Sequence, residues 1–175
     1  MRYVANVILA SCLLAAVAAP VGADPVQWTG NGHWYEVVEP PSGGITWEEA
    51  SQAAQGRIWM SMSGHLATIT SQGEQDFVAT LLGSHNYWLA GYQDPKTSPP
   101  ADDWHWQTAE PWAYTNWQPN EPNDYYGEES CLLIYYFGKW NDFRCIEQAP
   151  YLVEYDGLVP LEATTWGSIK ALFEH

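Results

Sequence analysis

The sequence predicts a mixed α+β domain in which two helices flank antiparallel strands and a long irregular loop stands outside both. Three observations carry this expectation. Two stretches open with helix-capping residues followed by acids. Several short stretches alternate or run apolar in the manner of strands. Residues 94–120 follow neither period.

In chain order, Met1 to Ala23 reads as a targeting segment and not as fold. Arg2 supplies a thin basic start, Val4 to Ala19 is apolar apart from Asn6 and Ser11, and Val21-Gly22-Ala23 offers small residues for cleavage. Cleavage after Ala19 is the alternative. Leu9-Ala10-Ser11-Cys12 has the form of a lipoprotein processing box, but the apolar run is very short before it and continues well past it. The run is also short for a spanning helix and lacks a charged stop, so no membrane span is expected. Export is expected, to the extracellular space or, in a bacterium, to the periplasm.

Residues 24–155 form the expected domain. Gly32 to Val38 alternates like a strand, and Pro40-Pro41-Ser42-Gly43-Gly44 breaks it. Thr46 can cap a helix from Trp47 to Gln55, with Glu48 and Glu49 in the first turn where the dipole favours acids. A second cap at Thr70 or Ser71, with Glu74 three residues after Ser71, forms a capping box for a helix from Ser71 to Leu82. Tyr87 to Tyr92 reads as a buried strand. From Asp94 to Asn120 the chain is rich in Pro, Trp, Asp and Ser, and a loop this long in a compact domain is usually functional. Residues 156–175 read as a linker followed by a short helical tail, with Trp166, Ile169, Leu172 and Phe173 on one side. Packing back on the domain, fraying and partner docking all remain open for that tail.

Composition narrows the function classes. A formal net charge of −15 argues against nucleic acid or anionic membrane as partner, because both select basic surfaces. It suits a chain that binds divalent cations. Eleven Trp and eleven Tyr supply core, with a few rings left to stack on sugars. The five histidines show no zinc-like spacing and read as isolated residues, and the serines lack a nucleophile elbow. Once the first 23 residues are removed, Cys131 and Cys145 remain, and an even count in an exported chain reads as one disulfide. Its closed loop, about 15 residues, would contribute roughly 3 kcal/mol by chain entropy.

The chemistry concentrates around that cysteine pair. Glu121-Pro122-Asn123-Asp124 and Glu128-Glu129 precede Cys131, and Trp140-Asn141-Asp142 precedes Cys145. Ca²⁺ takes six to eight oxygens from carboxylates, carbonyls and water. Glu121, Asn123, Glu129, Asn141 and Asp142 supply five such side chains. X-Pro is the one bond where a cis peptide costs little, so a cis Glu121-Pro122 bond can turn Glu121 and Asn123 toward one centre. Open coordination positions would then take two vicinal hydroxyls of a sugar. Glu121, Asn123, Glu129 and Asn141 would hydrogen-bond the same hydroxyls, carboxylates accepting and amides donating. Tyr125 and Tyr126 either line such a site or pack the loop.

These residues resemble the C-type lectin-like domain family, over roughly Gly32 to Tyr155. The resemblance rests on the EPN motif at Glu121-Pro122-Asn123, the WND motif at Trp140-Asn141-Asp142, and the cysteines around them. Trp88-Leu89-Ala90-Gly91 is similar to the family's WIGL core strand, and Gly64-His65-Leu66-Ala67 with Glu74 to the start of its second helix. The resemblance implies the C-type lectin-like fold with a calcium-binding long loop. It also implies EPN-type preference for mannose, glucose, N-acetylglucosamine or fucose over galactose. A second calcium site would draw on Asp94, Asp102 or Asp103, and Asp124, although Ser130 stands where the family often has Asp. The family's longer disulfide is absent, its positions falling near Trp59 and at Val153, so Trp59 is expected to pack on the strand Tyr151 to Tyr155.

The expected function is therefore calcium-dependent, non-catalytic binding of carbohydrate or glycoprotein glycans, with oligomerisation expected for avidity. The alternative is a protein-binding or structural module of the same fold in which calcium only orders the loop. Glycoside hydrolysis by Glu121, Asp124, Glu128 and Glu129 is the third reading, and nothing in the sequence shows how a carboxyl pKa would be raised.

Overall fold

The computed structural model describes residues 24–157. The targeting segment and the tail from residue 158 onward lie outside the described residues. In chain order the elements are β1 (Val26–Gln27), β2 (Trp34–Val38), α1 (Trp47–Gln55), β3 (Ile58–Trp59), β4 (Met62–Leu66), α2 (Gln72–Leu81), β5 (Tyr87–Gln93), β6 (Trp104–Trp106), β7 (Glu129–Ile134), β8 (Trp140–Arg144) and β9 (Tyr151–Tyr155). The sheet runs β1-β2-β9-β5-β7-β8, with β4 also on β9, β6 on β5 and β3 on β4. All pairings are antiparallel except β5 with β9, which meet in parallel at Trp88 and Tyr151. This is the expected α+β class.

Both helices start where the sequence places their caps. Thr46 accepts the Glu49 N–H, while the Glu49 carboxylate accepts the Thr46 N–H at 2.9 Å, closing a reciprocal box. Ser71 accepts the Glu74 N–H, but Glu74 does not return to Ser71. Its carboxylate takes the Thr70 N–H at 2.7 Å and the Tyr35 hydroxyl at 2.5 Å instead, since Tyr35 draws it into the core.

The central strands β5, β7 and β9 are buried along nearly their whole length, in keeping with their mostly apolar sequences. Trp88 and Trp47 cross between elements, donating their indole N–H groups to Ile45 and Leu89 carbonyls at 2.8 Å. Gly91 sits at a crowded point of β5, where a Cβ would come within 2.7 Å of the Leu132 side chain. Only glycine allows β7 so close.

Three local expectations are corrected. Gly64-His65-Leu66 belongs to strand β4, ahead of α2 and not at its start, because its alternation buries Gly64 and Leu66 against β9. Trp59 packs on Trp34, ring centroids 5.7 Å apart, so it reaches the neighbour of β9. The long loop is also less irregular than its composition suggests. Within it β6 pairs with β5, and Trp104, Trp106, Trp112 and Trp117 gather around Trp140 of β8. Trp140 meets Trp106, Trp112, Trp117 and Tyr114 at 5.7–5.8 Å, so aromatic packing takes the place of a regular period.

That cluster delivers the loop to the site. Trp140 N–H donates to Asn116 and its carbonyl accepts from Gln118, which lays residues 116–118 along β8 just ahead of Glu121. Trp106 is 2% exposed and its indole N–H lacks a hydrogen-bond partner, so its contribution is packing. Trp106→Ala should therefore cost about 3–5 kcal/mol in urea unfolding.

Candidate metal centre

Strand β8 sets the floor of the site. Trp140 and Asp142 are fully buried and Asn141 nearly so. Asp142 accepts the backbone N–H of Asn123 at 3.0 Å with one carboxylate oxygen and that of Asp124 at 2.6 Å with the other. The two motifs, nearly twenty residues apart in sequence, are joined through this one side chain. The Glu121–Pro122 peptide is cis. Asp124 follows with a left-handed backbone, φ 47°, and its own carboxylate accepts the Glu129 N–H at 3.0 Å. Glu129, at the start of β7, returns a carboxylate oxygen to the Tyr125 N–H at 2.9 Å. The disulfide Cys131–Cys145 fastens β7 to the end of β8 behind this loop.

Charge defines the result. Glu121 is pushed up to about 7, first by burial, then by the Asp142 and Glu129 carboxylates. Glu129 is raised too, by burial and by Asp142 and Asp124, against the lowering effect of the Tyr125 N–H and Arg144. Arg144 itself is turned outward to Glu128 at 2.8 Å and Glu147 at 3.1 Å. One Glu121 oxygen, Oε2, is buried with no hydrogen-bond partner. Asn141 donates its amide to the Asp142 carbonyl at 2.5 Å, which leaves its own oxygen as an acceptor. A buried, unpartnered carboxylate oxygen beside two further carboxylates and amide oxygens is a donor set suited to Ca²⁺. The residues fit the ion. Those that would hold it are Glu121, Asn123, Glu129, Asn141 and Asp142.

The second calcium site is not assembled in the same way. Asp94 and Asp103 meet through backbone, Asp94 N–H to the Asp103 carbonyl at 3.0 Å, at the turn between β5 and β6. The Asp103 carboxylate is taken by the Ser98 hydroxyl, and Asp124 serves the Glu129 N–H. Among the described residues, one trio of His, Cys, Asp or Glu holds ligand atoms within 4.8 Å of one another, and it is His33, Glu154 and Asp156. Neither Asp94, Asp103 and Asp124 nor Glu121, Glu129 and Asp142 form such a trio. Tyr125 is 59% exposed beside the loop, and the Tyr126 side chain lies outside the described residues.

The histidines depart from expectation. His33 meets Glu154 at 2.6 Å and His65 meets Asp156 at 3.1 Å. Spacing within the sequence carries no sign of this, because the pairs are made by strand register. His33 is raised by its hydrogen bond to Glu154. His65, which burial lowers, is raised on balance by the Glu154 charge and the Leu66 carbonyl.

Comparison with known proteins bears on the family and the fold. Residues 40–154 match the family described as the lectin C-type domain. The chain is 31% identical to human C-type lectin domain family 10 member A, over 73% of this chain and 38% of that protein. It is 32% identical to the pancreatic beta cell growth factor of Mesocricetus auratus, over 63% of this chain and 65% of that one. The chain thus spans less than two thirds of the length of either relative. Among solved structures, the cow C-type carbohydrate-recognition domain of CD23, determined in the presence of a GlcNAc2Man3 oligosaccharide, aligns at TM-score 0.59 and 28% identity, covering 70% of this chain and 86% of that one. The mouse scavenger receptor C-type lectin carbohydrate-recognition domain aligns at TM-score 0.62 and 24% identity, covering 76% and 94%.

Glu121 yields a pH test. Its proton is held more tightly in the folded than in the unfolded chain, so the ion-free fold loses stability as pH rises from the ordinary carboxylate range through about 7. His33 and His65 act in the same direction, so a variant isolates the carboxylate. Without calcium, thermal unfolding followed from about pH 5 to about pH 8 should fall less steeply in Glu121→Gln than in the parent chain.

Proposed function

We propose that this chain, which belongs to the lectin C-type domain family, is a secreted, calcium-dependent carbohydrate-binding protein with no catalytic role. The observation that carries the reading is the buried Glu121 Oε2 without a partner, set among Asp142 and Glu129. A cation there would satisfy that oxygen and relieve the repulsion between carboxylates. Calcium accepts more ligands than this side-chain set supplies, so neighbouring hydroxyls of a sugar can enter its coordination shell. Glu121, Asn123, Glu129 and Asn141 would hydrogen-bond those hydroxyls, with carboxylates accepting and amide groups donating. The Glu121-Pro122-Asn123 order supports mannose-type sugars. The apolar stretch before Asp24 supports export.

The raised Glu121 carboxyl also resembles a general acid, a property the sequence did not display. Its cause favours the metal reading, because burial beside uncompensated carboxylates raises the pKa and a cation would lower it again.

Calcium titration with and without mannose tests the proposal. Mannose should raise the apparent calcium affinity, and chelator should abolish binding on a glycan array. Calcium binding indifferent to every sugar would leave a protein-binding or structural module whose loop calcium orders. Reducing sugar released from glycans would favour hydrolysis.

Two substitutions sharpen the test. Asp142→Asn removes a charge and one acceptor from the residue that joins both motifs, and saturable calcium binding should disappear in calorimetry. Asn123→Asp replaces an amide donor by a carboxylate, so the ranking of sugars on the array should change while the thermal midpoint without calcium stays close to that of the parent.

A further inference from the structure

We infer that His33, His65, Glu154 and Asp156 form a second metal site, for a zinc-class divalent cation, built from strands other than those of the calcium-type centre.

Strand register brings the four together. On β9, Glu154 pairs with His65 of β4, and Tyr155 pairs with Trp34 of β2. Extending that antiparallel register by one residue sets His33 opposite Asp156. Residues 154 and 156 are two apart and share one face, and directly opposed residues share a face as well. Two imidazoles therefore flank two carboxylates on one side of the sheet edge.

His33 Nδ1, Glu154 Oε1 and Asp156 Oδ1 form a compact trio within 4.8 Å of one another, and His65 reaches that trio through Asp156. His33 Nδ1 lies 2.6 Å from Glu154 Oε1 and 3.7 Å from Asp156 Oδ1. His65 Nε2 lies 3.1 Å from Asp156 Oδ1. Neighbouring ligand atoms around tetrahedral zinc stand roughly 3.3 Å apart for metal–ligand bonds near 2.0–2.2 Å, and these contacts bracket that value. Small side-chain rotations would admit the ion.

The surrounding hydrogen bonds orient the ligands as metal sites require. His65 Nδ1 is 2.8 Å from the Leu66 carbonyl, which only accepts, so Nδ1 carries a proton and donates it. Nε2, 3.1 Å from the Asp156 carboxylate, donates to it when the ring is protonated and would give up that proton to a bound metal. An imidazole that donates one nitrogen to a backbone carbonyl and offers the other to the ion is the usual outer-shell arrangement. Glu154 is 2% exposed, and its Oε2 accepts the Thr68 N–H at 2.9 Å, which holds Oε1 toward the histidines. The Tyr35 hydroxyl adds a bond to Oε1 at 3.0 Å. Asp156 is 70% exposed, leaving an entry path and room for water as a further ligand.

The donor chemistry selects the metal class. Two imidazole nitrogens with two carboxylates suit zinc and its borderline neighbours, whereas calcium favours all-oxygen shells. Bound metal would tie β2, β4 and β9 at the point where the chain leaves the domain.

The test uses the full chain saturated with calcium, into which zinc is titrated by calorimetry while cobalt is followed by its visible absorption. One equivalent of zinc should bind, raise the thermal midpoint, and leave calcium in place. Cobalt should give a four- or five-coordinate spectrum that zinc abolishes. His33→Asn and His65→Gln should each weaken zinc by at least about tenfold, with calcium binding retained as evidence of folding. Glu154 is left intact because the Thr68 N–H depends on it. Absence of zinc binding would overturn the proposal in favour of a simple ion-paired cluster. Zinc binding indifferent to both histidine variants, or displacing calcium, would overturn it equally.

Discussion

Asp142 is fully buried, and both oxygens of its carboxylate are held by backbone N–H groups of a loop that precedes it by eighteen and nineteen residues. Its carboxylate also acts electrostatically on the acids beside it, in addition to their own burial. It pushes Glu121 and Glu129 upward, and it leaves one Glu121 oxygen with nothing to bind. The loop is thus shaped by the same group that makes its electrostatics costly without a cation. Stability and ion binding are two consequences of one placement.

Much of the remaining architecture serves to hold that placement. Trp140, the residue two before Asp142, is the hub of the tryptophan cluster and donates its indole N–H to Gln75 of α2 at 2.8 Å. Its backbone aligns residues 116–118, which lead directly into Glu121. The disulfide closes the opposite side by joining β7 to the end of β8. Ring packing thus orders a segment almost without helix or strand, most of whose residues stay exposed or half-buried. Aromatic area supplies the order that backbone hydrogen bonding does not.

Legibility followed the range of the interactions. The helix from Trp47 to Gln55 and its cap at Thr46 are local, since capping depends on residues three apart, and they were readable. Tyr87 to Tyr92 was readable as a buried strand from its apolar run, and the ligand motifs from residue type and spacing. Strand β6 was hidden, because Trp-His-Trp amid prolines shows neither period over three residues. The partner of Glu74 was hidden as well, since Tyr35 comes from a strand nearly forty residues away. The histidine–carboxylate cluster shows the limit most plainly. His33, His65 and Glu154 look unrelated in sequence, and only the flanking of β9 by β2 and β4 makes them neighbours.

By itself the sequence determined the fold class, the helix starts, the cysteine pair and the identity of the oxygen donors. Each of these follows from composition or from contacts a few residues long. Tertiary structure alone decided that Asp142 takes the Asn123 and Asp124 N–H groups and that one Glu121 oxygen is left unpartnered. It also brought two histidines onto two acids. The physical reason is that charge interactions and strand register depend on distance in space, and distance in space is set only when the core closes.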